Sequence, residues 1–118
     1  MGFRIGIDAG SKTIKVVVLD GRGEIVRSVY RRHLANIKTT LSLILREMVD
    51  EGGDVSGPVA FTGSAGIALA ESLGAPHIQE VVATTAAVRD ALPHADAFIE
   101  LGGEDAKIVY LSDGLEQR

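Results

Sequence analysis

The 118-residue sequence contains no cysteine. That absence removes disulfides, thiolate metal sites, iron–sulfur ligation and thiol nucleophiles from anything this chain supplies by itself. Long apolar runs are missing too, since no stretch of about twenty residues is apolar enough to span a bilayer. The opening Met1-Gly2-Phe3-Arg4-Ile5-Gly6 lacks the apolar segment of a signal peptide. Gly6 stands where a myristoylation pattern needs Ser or Thr. The expectation is a soluble, cytoplasmic protein without a membrane partner. Positive charge is also scarce: 12 basic against 16 acidic side chains give a net charge of -4. The longest basic cluster is Arg31-Arg32-His33. Binding nucleic acid needs a basic face to neutralise phosphates, so no nucleic-acid partner is expected. What remains is 46% apolar, enough for one core, because a chain this size buries about two thirds of its unfolded surface.

The pattern along the chain is α/β. Residues 3–8, 15–19 and 24–32 are short runs rich in β-branched residues, separated by glycine-containing turns, and predict a three-stranded antiparallel meander. Asn36 is a plausible N-cap for a helix in which Ile37, Leu41, Ile44, Leu45, Met48 and Val49 recur at helical spacing until Gly52-Gly53. A buried strand is expected over 58–63, then a short helix capped by Ser64 and ended by Gly74. His77–Gln79 reads as a brief strand. A helix follows from Glu80 to Leu92, stopped at Pro93, with Val81, Thr85, Val88 and Leu92 as its core stripe. Finally, 97–101 and 106–111 frame Gly102-Gly103-Glu104-Asp105 as a hairpin.

Two glycine loops carry the chemistry. Gly6 to Thr13 comes within one residue of a Walker loop, with Ser11 in place of the last glycine. A Walker loop opens a helix, whose amide N–H groups face the phosphates, whereas here a strand follows. Asp8 inside such a loop would also repel the anion. The alternative is D-x-G-S-x-x-x-K from Asp8 to Lys15, the tip of a β-hairpin. Small residues let the amides of a tight turn approach phosphate oxygens. Ser11 and Thr13 add hydroxyls, Lys12 or Lys15 adds a cation, and Asp8 suits a hydrated Mg2+. Glu100 to Lys107 repeats the design: an acid at a strand end, Gly102 and Gly103 at the tip, a lysine on the return strand. Each loop alone also reads as an ordinary β-turn, since these residues favour turns; what shifts the balance is the pair. Together they would clamp a triphosphate, with Asp8 and Glu100 flanking the metal. Thr62-Gly63-Ser64-Ala65-Gly66 falls short of a nucleophile elbow, because position 62 is not glycine, and reads as a helix N-terminus close to phosphate. His33, His77 and His94 lack ligand spacing and are placed at turns, so no zinc site is expected.

Asp8-Ala9-Gly10-Ser11 with Lys15, Phe61 to Gly66, Gln79 to Ala83 and Ile99 to Ile108 together resemble the BadF/BadG/BcrA/BcrD ATPase family. These proteins activate 2-hydroxyacyl-CoA dehydratases or serve as ATPase subunits of benzoyl-CoA reductases. The resemblance implies an RNase H-like lobe of the actin, chaperone and sugar-kinase superfamily, with a mixed sheet, an antiparallel meander and helices, followed by the first hairpin of a second lobe. It puts the lobes at 1–93 and 94–118 and makes the chain an N-terminal fragment. By the same analogy Asp8 and Glu100 hold Mg2+ or its waters and position the attacking water. Gly10, Ser11, Lys12, Thr13, Lys15, Gly63, Gly102, Gly103, Glu104 and Asp105 contact ATP or ADP. The resemblance further implies a homodimer bridged by a [4Fe-4S] cluster held outside this chain, and a CoA-ester dehydratase or reductase that receives the electron. Lys12 departs from the family's usual threonine. A lobe of a sugar or acetate kinase, or a non-catalytic actin-like or chaperone-like module, are the competing readings, because the same loops would serve them.

Overall fold

The computed structural model describes residues 2–53, 56–101, 106–111 and 115–117, and the chain divides into two compact units, Met1–Ile78 and Gln79–Arg118. The first unit opens with the expected meander, β1 (Arg4–Ala9), β2 (Thr13–Leu19) and β3 (Ile25–Arg32). Along β1 and β2 burial alternates with period two, so Ile5, Ile7, Ala9, Ile14, Val16 and Val18 all face one side. The turn between β2 and β3 is an Asx-type bend. The Asp20 carboxylate accepts from the N–H groups of Arg22 and Glu24, and Gly23 supplies a φ of +82°.

After β3 the chain turns through Leu34 and Ala35, both at positive φ (49° and 66°), into α1 (Ile37–Asp50). Asn36 occupies the N-cap position without a side-chain cap, because its ψ of 65° is not the extended geometry that brings a capping oxygen onto the first turn. Gly52, at φ +87°, stops the helix as expected. β4 (Val59–Thr62) then pairs parallel with β1, giving a mixed four-stranded sheet in the order β3-β2-β1-β4. α2 (Gly66–Leu73) follows. It starts one residue later than a Ser64 cap requires: Ala65 occupies the cap and no side chain satisfies the first turn. Gly74 in the left-handed region ends it. α1 packs on β2 and β3, α2 on β1 and β4, and Leu41, Ile44, Met48, Leu69 and Ala70 close the core over Ile7, Val16 and Phe61. The brief strand expected at 77–79 is reduced to one bridge between His77 and Phe61.

The second unit holds α3 (Glu80–Ala91) and an antiparallel sheet of β5 (Ala97–Leu101), β6 (Ala106–Leu111) and β7 (Leu115–Gln117). Val81 and Thr85 of the expected stripe are buried, and the Thr85 hydroxyl donates to Val81 O at 2.6 Å. Leu92 instead caps the helix and is 62% exposed, because the turn ahead of Pro93 leads it away from the stripe. β7 was not expected: three residues are too few for alternation to show.

Candidate functional site

The site lies across the first sheet, where the register aligns one residue from each of its four strands. Thr62, Asp8, Lys15 and Tyr30 lie directly opposite one another on β4, β1, β2 and β3. Paired residues project from the same face, and the neighbouring row, Phe61, Ile7, Val16 and Val29, is the core row. The first row therefore occupies the face turned away from α1 and α2. Lys15 Nζ is 3.5 Å from Asp8 Oδ2 and 5.6 Å from the centre of the Tyr30 ring. Both charged side chains are well exposed, so their pairing contributes about 1 kcal/mol at most and is easily exchanged for another ligand.

The β1–β2 turn rises from this row. Gly10 N–H donates to Thr13 O at 2.9 Å and closes it. Ser11 and Lys12 are exposed at the tip. A Cβ on Gly10 would meet only Thr13 O, at 3.7 Å, so packing does not demand glycine there; what the missing side chain provides is room for something to approach the backbone. His33, buried just after β3, supports the turn from behind. Its N–H donates to Lys12 O at 3.1 Å, its Nε2 bonds Gly10 O at 2.9 Å, and its Nδ1 accepts from Ala35 N–H at 3.0 Å. Among the described residues no protein acceptor takes the N–H of Ser11 or Lys12.

The loop between β4 and α2 lies against the end of β1. Ala65 N–H donates to Ala9 O at 2.8 Å, and Gly63 O receives both Gly66 N–H at 3.0 Å and His77 Nε2 at 2.9 Å. Gly63 has φ +93°, and a Cβ there would lie 2.4 Å from Ala9 O and 2.7 Å from Asp8 Oδ1. Its glycine is thus demanded by crowding against Asp8. Beside it, Thr62 Oγ1 is buried with no hydrogen-bond partner among the described residues. His33 and His77 are therefore loop supports rather than isolated turn residues. They, Thr62 and Tyr30 were not singled out as site residues in the sequence. The signal that could have found Thr62 and Tyr30 is the strand register, which aligns them with Asp8 and Lys15.

The second unit contains a hairpin of the same construction. Glu100 lies opposite Lys107 and Leu101 opposite Ala106, just as Asp8 lies opposite Lys15 and Ala9 opposite Ile14. Four residues separate Ala9 from Ile14, and four separate Leu101 from Ala106. The four residues of the second, Gly102, Gly103, Glu104 and Asp105, lie outside the described residues. Among the described residues no group of three or more His, Asp or Glu side chains could hold a metal by itself. Asp8 nevertheless fits magnesium carried by a polyphosphate, which takes one or two carboxylates and completes its shell with phosphate oxygens and water. Away from this row, hydrogen bonding between Arg31 and Glu47 raises the guanidinium and lowers the carboxyl.

The mixed sheet with its meander, parallel fourth strand and helices on one face is an α/β fold of the kind expected. Solved structures with this fold are similar to the chain throughout its length. The (R)-2-hydroxyglutaryl-CoA dehydratase component A of Acidaminococcus fermentans has a TM-score of 0.81 at 17% identity, covering 100% of this chain and 48% of that one. The activator of the 2-hydroxyisocaproyl-CoA dehydratase from Clostridium difficile, solved with bound ADPNP, has a TM-score of 0.71 at 21% identity, covering 99% and 46%. The Aquifex aeolicus Ppx/GppA phosphatase has a TM-score of 0.61 at 13% identity, covering 100% and 52%. At these identities the likeness is one of fold. The chain spans about half the length of these structures. No protein-family model and no curated protein matches it. Among the described residues, no helix is long and apolar enough to cross a membrane.

Proposed function

We propose that the chain is the nucleotide-binding lobe of an ATPase that activates a CoA-ester dehydratase or reductase by ATP-driven electron transfer. The observation that carries the reading is the repeated strand pairing: an acid opposite a lysine, with the same register and the same four-residue separation beyond the next pair, built twice. The dehydratase component and the ADPNP-bound activator, both similar in fold, support it. In this reading residues 1–93 form the first lobe and the hairpin beyond residue 94 begins the second. Gly10, Ser11, Lys12, Thr13, Lys15 and Gly63 border the phosphates on one side, and Gly102, Gly103, Glu104 and Asp105 on the other. Magnesium would be held through Asp8 and Glu100 and would neutralise charge on the transferring phosphoryl group. Asp8 orients the attacking water, and the turn amides stabilise charge on the phosphate oxygens. A [4Fe-4S] cluster would bridge a homodimer through residues outside this chain, which has no cysteine to offer.

The reading is tested by ATPase assay and iron analysis of the intact protein under anaerobic conditions. Magnesium-dependent hydrolysis that falls about a hundredfold in Asp8→Asn, together with bound iron, is the expected result. Iron without ATPase activity contradicts it. The isolated chain should bind nucleotide only weakly, because adenine contacts would come from outside it and the cost of association is left without them.

A further inference from the structure

Two histidines stand behind the two loops that border Asp8, and both do the same thing. A carbonyl oxygen can only accept, so the Nε2 of His33 at Gly10 O and the Nε2 of His77 at Gly63 O must each carry the proton and donate it. For His33 the other nitrogen confirms the tautomer, since Nδ1 accepts from Ala35 N–H and cannot be protonated. Each histidine grips the carbonyl of the first residue after a strand: Gly10 follows β1, which ends at Ala9, and Gly63 follows β4, which ends at Thr62.

In a planar trans peptide the C=O and the next N–H point in opposite directions. Holding Gly10 C=O toward His33 therefore turns Ser11 N–H away from the protein, and holding Gly63 C=O toward His77 and Gly66 turns Ser64 N–H away likewise. Neither amide has a protein acceptor among the described residues. We infer that His33 and His77 are positioning residues that fix two peptide planes, presenting the N–H groups of Ser11 and Ser64 as the phosphate donors of the first lobe. The inference rests on the phosphate-site reading above and adds to it the Ser64 amide and the two imidazoles. The buried imidazole of His33 suits the task, since it bonds a carbonyl at one nitrogen and its own loop at the other without placing a charge beneath the anion.

The experiment uses the uniformly 15N-labelled chain, titrated with inorganic triphosphate and Mg2+, with amide shifts as the readout. His33→Gln keeps an N–H donor near the reach of Nε2, whereas His33→Asn keeps only the acceptor for Ala35 N–H. The expected result is saturable shifts at Ser11 and Ser64 in the wild type, affinity within about threefold of it in H33Q, and a loss of tenfold or more in H33N, with a moved Ser11 resonance before any ligand is added. His77→Gln and His77→Leu should divide in the same way at Ser64. Equal weakening of H33Q and H33N would show that packing matters rather than the donor, and overturns the inference, as does wild-type affinity in both. Absence of triphosphate binding by the wild type would instead remove the phosphate site and this inference with it. Should H33N fail to fold, the imidazole 15N spectrum of the wild type decides: protonation at Nε2 of His33 is expected, and protonation at Nδ1 overturns the proposal.

Discussion

Gly63 and Thr62 are neighbours held by opposite kinds of constraint. At Gly63 the backbone has φ +93° and an added methyl group would run into Ala9 O and Asp8 Oδ1. Gly63→Ala should therefore lower stability by about 1–3 kcal/mol, read by urea denaturation, and should displace the Asp8 carboxylate. At Thr62 nothing is gained from the hydroxyl in the protein alone, because Oγ1 is buried without a partner. Replacing it with a methyl group of the same shape removes an unsatisfied polar atom. Thr62→Val should leave stability unchanged or raise it by about 1 kcal/mol, in the same denaturation experiment. A loss of more than that would mean the hydroxyl has a partner within the fold. Side-chain chemistry at these two positions was only partly legible in the sequence. Gly63 stood out as a glycine, but its reason, the approach of β4 to β1, is a contact between residues more than fifty apart. Thr62 carried no signal of a place beside Asp8, because that place depends on the register of β4 on β1.

At the scale of elements, β3 is joined to α1 and its C-cap by two ion pairs, Arg31 with Glu47 and Arg27 with Glu51, each with an N···O distance of 2.6 Å. Arg31 meets both oxygens of the Glu47 carboxylate, the fork geometry that suits a guanidinium. Hydrogen bonding from Arg31 holds Glu47 below the ordinary glutamate value of 4.5. A carboxyl depressed in the folded state contributes stability above its unfolded pKa and loses it as pH falls through the folded value. Glu47→Gln should thus lower the melting temperature slightly at pH 7, and the difference from wild type should vanish once the pH is well below 4.5. A difference that persisted in acid would assign the effect to packing. The elements themselves were mostly readable. Alternation over β1 and β2, and the apolar stripe from Ile37 to Met48, are strong periodic signals that match the core they build. The caps were not: Asn36 and Ser64 have the right side chains, yet the positive-φ turn at Leu34–Ala35 and the stapling of Ala65 to Ala9 set the helix entries instead. Tertiary contacts overrode local preference there.

For the molecule as a whole, the meaning of the glycine loops lies in their repetition. The spacing from Asp8 to Lys15 equals that from Glu100 to Lys107, and the strand registers turn this spacing into the same cross-strand pair in both units. This likeness was visible in the sequence because it depends on short-range spacing. The histidine supports were not, because His33 reaches Gly10 and His77 reaches Gly63 across the fold. The central claim is that the β1–β2 turn receives polyphosphate beside Asp8. Its most direct test is a titration of the 15N-labelled chain with ADPNP, with and without Mg2+, in wild type and Asp8→Asn. The account predicts weak, saturable shifts centred on residues 10–13 that need magnesium and fade in Asp8→Asn while the spectrum stays folded. Shifts confined to other surfaces, or binding indifferent to both magnesium and Asp8, would contradict it.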